Sequence, residues 1–202
     1  MPSGAYDRGP VMSTFQIHTI DSAPEPSRPV LRQLQQNFGL IPNIAGAMAE
    51  SPVLIGGFIG IFQKVHSGTF TEAQIQTLLL TNAVTNACSW AVAFHTALAL
   101  KEGLSSADVE AIRDGRTPAD KKHAALSTLT KTAIEKRGHL SDHEVNQFIE
   151  AGFRKDQVLE VLTVLAASTI TNYTGNITKP ALEAPFQEHA WTAPVASRRA
   201  VQ

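Results

Sequence analysis

The sequence predicts an all-α protein, and three observations carry that prediction. Apolar residues recur at helical spacing along most of the chain. Capping residues stand just ahead of those runs, and glycines stand just behind several of them. No convincing strand pair appears anywhere in the 202 residues.

The elements follow in order. Residues 1–12 are rich in Gly, Pro and Ser and have no period, so 1–14 is expected to form a flexible extension. In "STFQIHTI", Phe15, Ile17 and Thr19 alternate, which suits a short extended arm. Ser27 is placed to cap a helix carrying Val30, Leu31, Leu34 and Phe38, which stops at Gly39. "PNIAGAMAES" reads as a short helix with Pro42 at its start. "SPVLIGGFIGIFQKVHSG" follows, stopped by Gly68. Thr71 caps "TEAQIQTLLLTNAV", and Asn86 is expected to cap the next segment, which holds Cys88 and stops near Gly103. "SSAD" (Ser105 to Asp108) and "SDHE" (Ser141 to Glu144) fit the capping box, the second more strictly. Between 118 and 137, Leu126, Leu129, Ala133 and Ile134 keep helical spacing. From His189 the chain is small and polar without a helical period, so 187–202 is expected to be a flexible tail and 15–186 the helical domain.

An internal echo adds to this. "FTEAQIQTLLLTNAVTNACSW" from Phe70 lies on "FRKDQVLEVLTVLAASTITNY" from Phe153 without a gap. Phe70 meets Phe153, Gln74 meets Gln157, Leu79 meets Leu162, Ala83 meets Ala166 and Trp90 meets Tyr173. Two amphipathic helices match this way by chance often enough to keep that explanation open. The other explanation is a duplicated helical hairpin. "VLEVLTVLAASTI" is apolar on more than one face, which places it deep in the fold or between subunits.

Composition bounds the function. A formal net charge of -1 with no basic run gives no electrostatic case for a nucleic-acid partner. The apolar stretches are broken well short of a membrane span. One cysteine excludes an intrachain disulfide and a multi-cysteine metal cluster. His139 and His143 lack an evident third ligand, so no metal site is expected. The start of the chain has no apolar signal-peptide core, and the expected setting is a reducing cytoplasm.

The chemistry concentrates in "NACSWAVAFH". Positions 88, 91 and 95 fall on one helical face, with Cys88 and His95 about 10.5 Å apart along the axis at 1.5 Å per residue. That separation needs a polar bridge at position 91, where the chain has Ala91. Cys88 near a helix start is expected to have a depressed thiol pKa, and such a thiol attacks peroxide to give a sulfenic acid. The bland alternative is a buried cysteine acting as a small hydrophobe, with His95 a hydrogen-bonded core histidine. Trp90 reads as a packing residue or pocket wall, and Asn172 and Tyr173 as candidates to line a pocket.

These residues resemble the alkylhydroperoxidase-D-like group of the carboxymuconolactone decarboxylase superfamily, in particular its peroxidase-related members. Redox members of that group carry N-x-C-x-Y-C-x-x-x-H. Here Asn86, Cys88 and His95 match, and Trp90 replaces the aromatic. "FGLIPNIAGAMAESPVL" and "GHLSDHEVNQFIEAGFRKDQVLEVL" resemble the entry and C-terminal parts of the family, so the likeness runs over roughly residues 28 to 186. The resemblance implies an all-α fold with an internal helical duplication. It implies a homo-oligomer (dimer, trimer or hexamer), a small-molecule substrate and no cofactor, with Cys88 and His95 catalytic and Gln76, Asn86, Trp90 and Ala91 around them. Two departures matter. The family's glutamate is Gln76 here, and its peroxide-reactive second cysteine is Ala91. The resemblance therefore leaves three expectations. One is a peroxidase-related oxidoreductase with Cys88 acting alone and an external thiol as reductant. Another is a non-redox, decarboxylase-like enzyme using His95. The third is a degenerate member that binds a small ligand or serves as an assembly subunit.

Overall fold

The computed structural model describes residues 15–194. The extension expected at 1–14 and residues 195–202 of the expected tail lie outside the described residues. Among the described residues there are nine α-helices and no strand. They are α1 (Arg28–Phe38), α2 (Asn43–Met48), α3 (Pro52–His66), α4 (Glu72–Thr85), α5 (Ser89–Lys101), α6 (Ser106–Arg113), α7 (Lys121–Glu135), α8 (Asp142–Glu150) and α9 (Lys155–Thr178). No helix is long and apolar enough to cross a membrane among the described residues.

Most caps act as the sequence predicts. Thr71 and Gln74 form a complete capping box on α4, and Ser141 and Glu144 form one on α8. Gly39 ends α1 at φ +74°, a conformation that suits a residue without a Cβ. Two caps differ. Ser27 is already helical, at the end of a 3-10 turn that runs into α1, so its hydroxyl is turned away from the helix start and donates to the Ala49 carbonyl at 2.8 Å. Asn86 does not begin the Cys88 helix; it is the C-cap of α4, and its side-chain amide donates back to the carbonyl of Asn82 at 3.0 Å. Ala87, at φ +52°, turns the chain, and Cys88 itself is the N-cap of α5.

α4 is the central helix: Ile75 through Ala83 are all buried, because α5, α7 and α9 pack around it. One core cluster joins Leu31, Met48, Ile55, Leu80, Val92 and Ile112, and a second joins Phe70, Leu78, Leu126, Phe148, Phe153 and Val161. The echo is visible here. Phe70 and Phe153 meet edge-to-face with ring centroids 6.1 Å apart. Each precedes a helix whose Gln side chain accepts the cap N–H, Gln74 from Thr71 at 3.0 Å and Gln157 from Arg154 at 2.9 Å.

Residues 187–194, expected to be tail, are fastened to the body. A 3-10 turn at Ala184–His189 lies on α5, with Phe186 edge-on to Phe94 at 5.0 Å. Arg113 donates to the carbonyls of His189 and Ala190 at 3.0 and 3.1 Å, and the Trp191 indole donates to the Arg113 carbonyl at 3.1 Å. Such a strap has no helical period because it is held by single aromatic contacts and backbone carbonyls, not by a repeated face. At the other end, His18 N–H donates to the Gly46 carbonyl at 3.1 Å, and a Cβ on Gly46 would meet the His18 carbonyl at 2.9 Å.

Candidate functional site

α5 carries both sequence-predicted catalytic residues, and the fold treats them differently. Cys88 is 1% exposed and sits in the core cluster. It packs against α9 where that helix has Gly175; a Cβ there would lie 2.7 Å from the Cys88 Sγ. Burial pushes the thiol pKa up, and the N–H groups of Ala91 and Trp90 at the helix start pull the other way without winning. The expected depressed thiol is therefore corrected. The N–H groups of a helix start are present, but closure of the site by α9 outweighs them.

His95 is 6% exposed, and its Nδ1 is 3.0 Å from Oε1 of Gln76, itself 3% exposed. An amide oxygen only accepts, so Nδ1 carries the proton and Nε2 keeps its lone pair. Burial, with a smaller contribution from the charge of His66, lowers the His95 pKa to about 3. At neutral pH the ring is an uncharged, oriented acceptor.

The ring lines a cavity of about 50 Å³ whose walls include Phe38, Phe58, Phe62, Trp90 and Phe94, with Pro42 just before α2 and Ile44 on it. This exceeds the roughly 10–15 Å³ that one water needs and is well below the ~300 Å³ of a drug-sized pocket. Trp90 stacks on Phe94 with centroids 5.0 Å apart, which makes it a wall residue. A larger polar concavity of about 390 Å³ lies between α4, α7 and the loop after α6, and none of the sequence-predicted site residues lines it.

The remaining candidates separate. Ala91 is fully buried in the core cluster. Asn172 is fully buried too, and it belongs to a polar junction between α4 and α9 rather than to the cavity wall. Its amide donates to Asn82 Oδ1 at 2.8 Å and to Ser168 at 3.2 Å, and Asn86 donates to the same Asn82 oxygen at 2.7 Å. Tyr173 is 56% exposed and lines no part of the cavity, because the turn of α9 that buries Asn172 directs the next residue outward. Phe38, Phe58 and Phe62 were legible only as core spacing, so sequence reasoning missed them as walls. Glu183 was missed altogether: its carboxylate accepts from the Trp90 indole at 2.9 Å. Among the described residues, no group of three His, Cys, Asp or Glu is arranged to hold a metal ion.

The fold and site define a class: an all-α protein with a buried histidine facing a small aromatic-lined cavity. No family model matches the sequence, and no curated protein matches it. Solved structures do. The alkylhydroperoxidase AhpD core of an uncharacterized peroxidase-related protein from Ralstonia eutropha JMP134 is similar over 85% of this chain and 93% of that chain, with TM-score 0.76 and 14% identity. A peroxidase-related protein from Silicibacter sp. TM1040 is similar over 88% and 95%, with TM-score 0.69 and 14% identity. The debrominase Bmp8, as a cysteine-to-alanine variant in complex with 2,3,4-tribromopyrrole, is similar over 95% and 99%, with TM-score 0.67 and 17% identity. The chain has the alkylhydroperoxidase-D core fold.

Proposed function

We propose that this protein is a peroxidase-related member of the alkylhydroperoxidase-D-like family that has left thiol chemistry and acts on a small, mostly apolar molecule held at His95. The observation that carries this is the Gln76–His95 pair. It fixes the tautomer, with the proton on Nδ1 and the lone pair on Nε2, in a ring that lines a mostly apolar cavity. The ligand chemistry this favours is a compact, mostly apolar molecule with one N–H or O–H donor. The 2,3,4-tribromopyrrole complex of the debrominase neighbour supports a pyrrole-type ring as the probe. With a pKa near 3, His95 orients such a donor and accepts a proton only from an acidic one. The peroxidase reading is weaker here, since a buried thiol with a raised pKa is a poor peroxide nucleophile.

Titration calorimetry with pyrrole tests the proposal. Binding is expected to weaken about fivefold in His95→Phe, the loss of roughly one neutral hydrogen bond, and to be unchanged in Cys88→Ser. The opposite pattern refutes it. Self-association is part of the same family reading. It is supported by the exposed apolar residues Val53 on α3 and Leu159, Leu162, Tyr173 and Ile177 on α9. Light scattering that finds only monomer at micromolar concentration removes it.

A further inference from the structure

Glu183 ties a wall residue of the His95 cavity, Trp90, to the start of α2, the helix that supplies another wall. One carboxylate oxygen accepts the Trp90 indole N–H at 2.9 Å, and the other accepts the backbone N–H of Asn43 at 2.5 Å. Asn43 opens α2, which supplies Ile44 and Ala45 to one wall; Trp90 and Phe94 of α5 supply the other. The residue before α2 is Pro42, which makes no side-chain cap, so the helix start takes its acceptor from a residue 140 positions away. Asn43 also donates through its own amide to the Ala181 carbonyl at 2.9 Å. Trp90 is 6% exposed, and a buried indole N–H needs an acceptor.

Both Glu183 contacts are donors, and a carboxylate offers an acceptor to each. A glutamine at this position offers one acceptor and turns an NH₂ toward the second donor. Two helices that flank a narrow cavity are thus clipped together by one charged group on the C-terminal strap. We infer that Glu183 is a positioning residue that sets the width of the cavity, and so selects single-ring ligands over fused two-ring ones. The selectivity half of this inference rests on the ligand reading above; the clip itself does not.

The test uses the full chain and Glu183→Gln. Two-dimensional ¹H–¹⁵N NMR resolves two indole N–H signals, Trp90 and Trp191, assigned through Trp191→Phe. Hydrogen exchange of the Trp90 indole is expected to accelerate roughly tenfold in Glu183→Gln, the loss of one charge-assisted hydrogen bond, while that of Trp191 stays unchanged. Trp191 sits on the same strap, so equal acceleration of both signals means the strap has detached and overturns the clip. Unchanged Trp90 exchange overturns it too. In calorimetry the wild type is expected to bind pyrrole more tightly than indole, and Glu183→Gln to lose most of that preference. A preference kept by the variant overturns the selectivity role. If the wild type binds neither compound, the ligand reading and the selectivity role fail together, while the exchange arm still decides the clip.

Discussion

α5 and its N-cap present Cys88 and His95 in opposite situations. Cys88, at the helix start, is buried in the core cluster, with its sulfur 2.7 Å from where a Cβ on Gly175 would lie. His95, two turns on, holds Gln76 with one nitrogen and lines a cavity with its ring. Both are nearly inaccessible to bulk solvent, at 1% and 6%. Exposure alone does not separate them; what each faces does. A thiol walled in by packing has its charged form penalised and lines no part of the cavity. An imidazole with one nitrogen satisfied and an adjoining cavity is uncharged, oriented and supplied with room.

The sharpest way to break this contrast is acid. The His95 pKa falls from 6.5 to about 3 on folding, so below 6.5 the unfolded state takes up a proton that the folded state refuses. The His95 contribution to stability therefore declines as pH falls from 6.5 toward 3 and levels off below. The His95 share is on the order of 5 kcal/mol if the whole shift is expressed. Urea unfolding at pH 7, 5.5 and 4 is expected to show a steeper decline for wild type than for His95→Leu. Equal slopes contradict a buried neutral ring.

Gln76→Glu sharpens the same site from its other side. A carboxylate in place of the amide favours the imidazolium and is expected to raise the His95 titration by roughly one to three pH units, as read from imidazole NMR shifts. If the titration does not move, the two side chains are not paired in solution.

Gly175→Ala tests the Cys88 end. The added Cβ would lie 2.7 Å from Sγ and 3.1 Å from Ile44 Cδ1. Overpacking of this kind costs about 1–3 kcal/mol. Cys88→Ala in the same chain is expected to return part of that cost, with a coupling of about 1 kcal/mol in a double-mutant cycle. Additive effects mean that Cys88 does not press on α9.

The smallest expected effect is on peroxide. Consumption by Cys88→Ser is expected to match wild type, and Cys88 to react with a disulfide reagent only when urea opens the fold. The double change Gln76→Glu with Ala91→Cys restores a carboxylate and a second thiol and is expected to add activity. A loss of peroxide consumption in Cys88→Ser revives the thiol reading.

Much of the architecture was legible. Thr71 with Gln74, and Ser141 with Glu144, are local signals, and local signals survive folding because their partners are three residues away. The Phe70–Phe153 echo was legible as a constant offset and appears as a contact between rings. Asn86 was misread because an Asn ends a helix as readily as it starts one, and which role it takes depends on the turn at Ala87. Tyr173 was misread because an apolar helix does not declare which flank meets solvent. The fastening of residues 187–194, expected to be tail, was not legible because its ties to Arg113 are long-range and aperiodic.

By itself the sequence determined an all-α chain, its main helix starts, the pairing of one cysteine with one histidine on a single segment, and the absence of a carboxylate at Gln76 and of a thiol at Ala91. Those are properties of composition and spacing. Only the tertiary structure decided that Cys88 is closed off, that Gln76 orients His95, and that Glu183 clips α2 to Trp90. The reason is physical. A pKa and a hydrogen-bond partner depend on what other helices bring within a few ångströms, and those groups come from 19 positions away at Gln76 and 93 at Glu183.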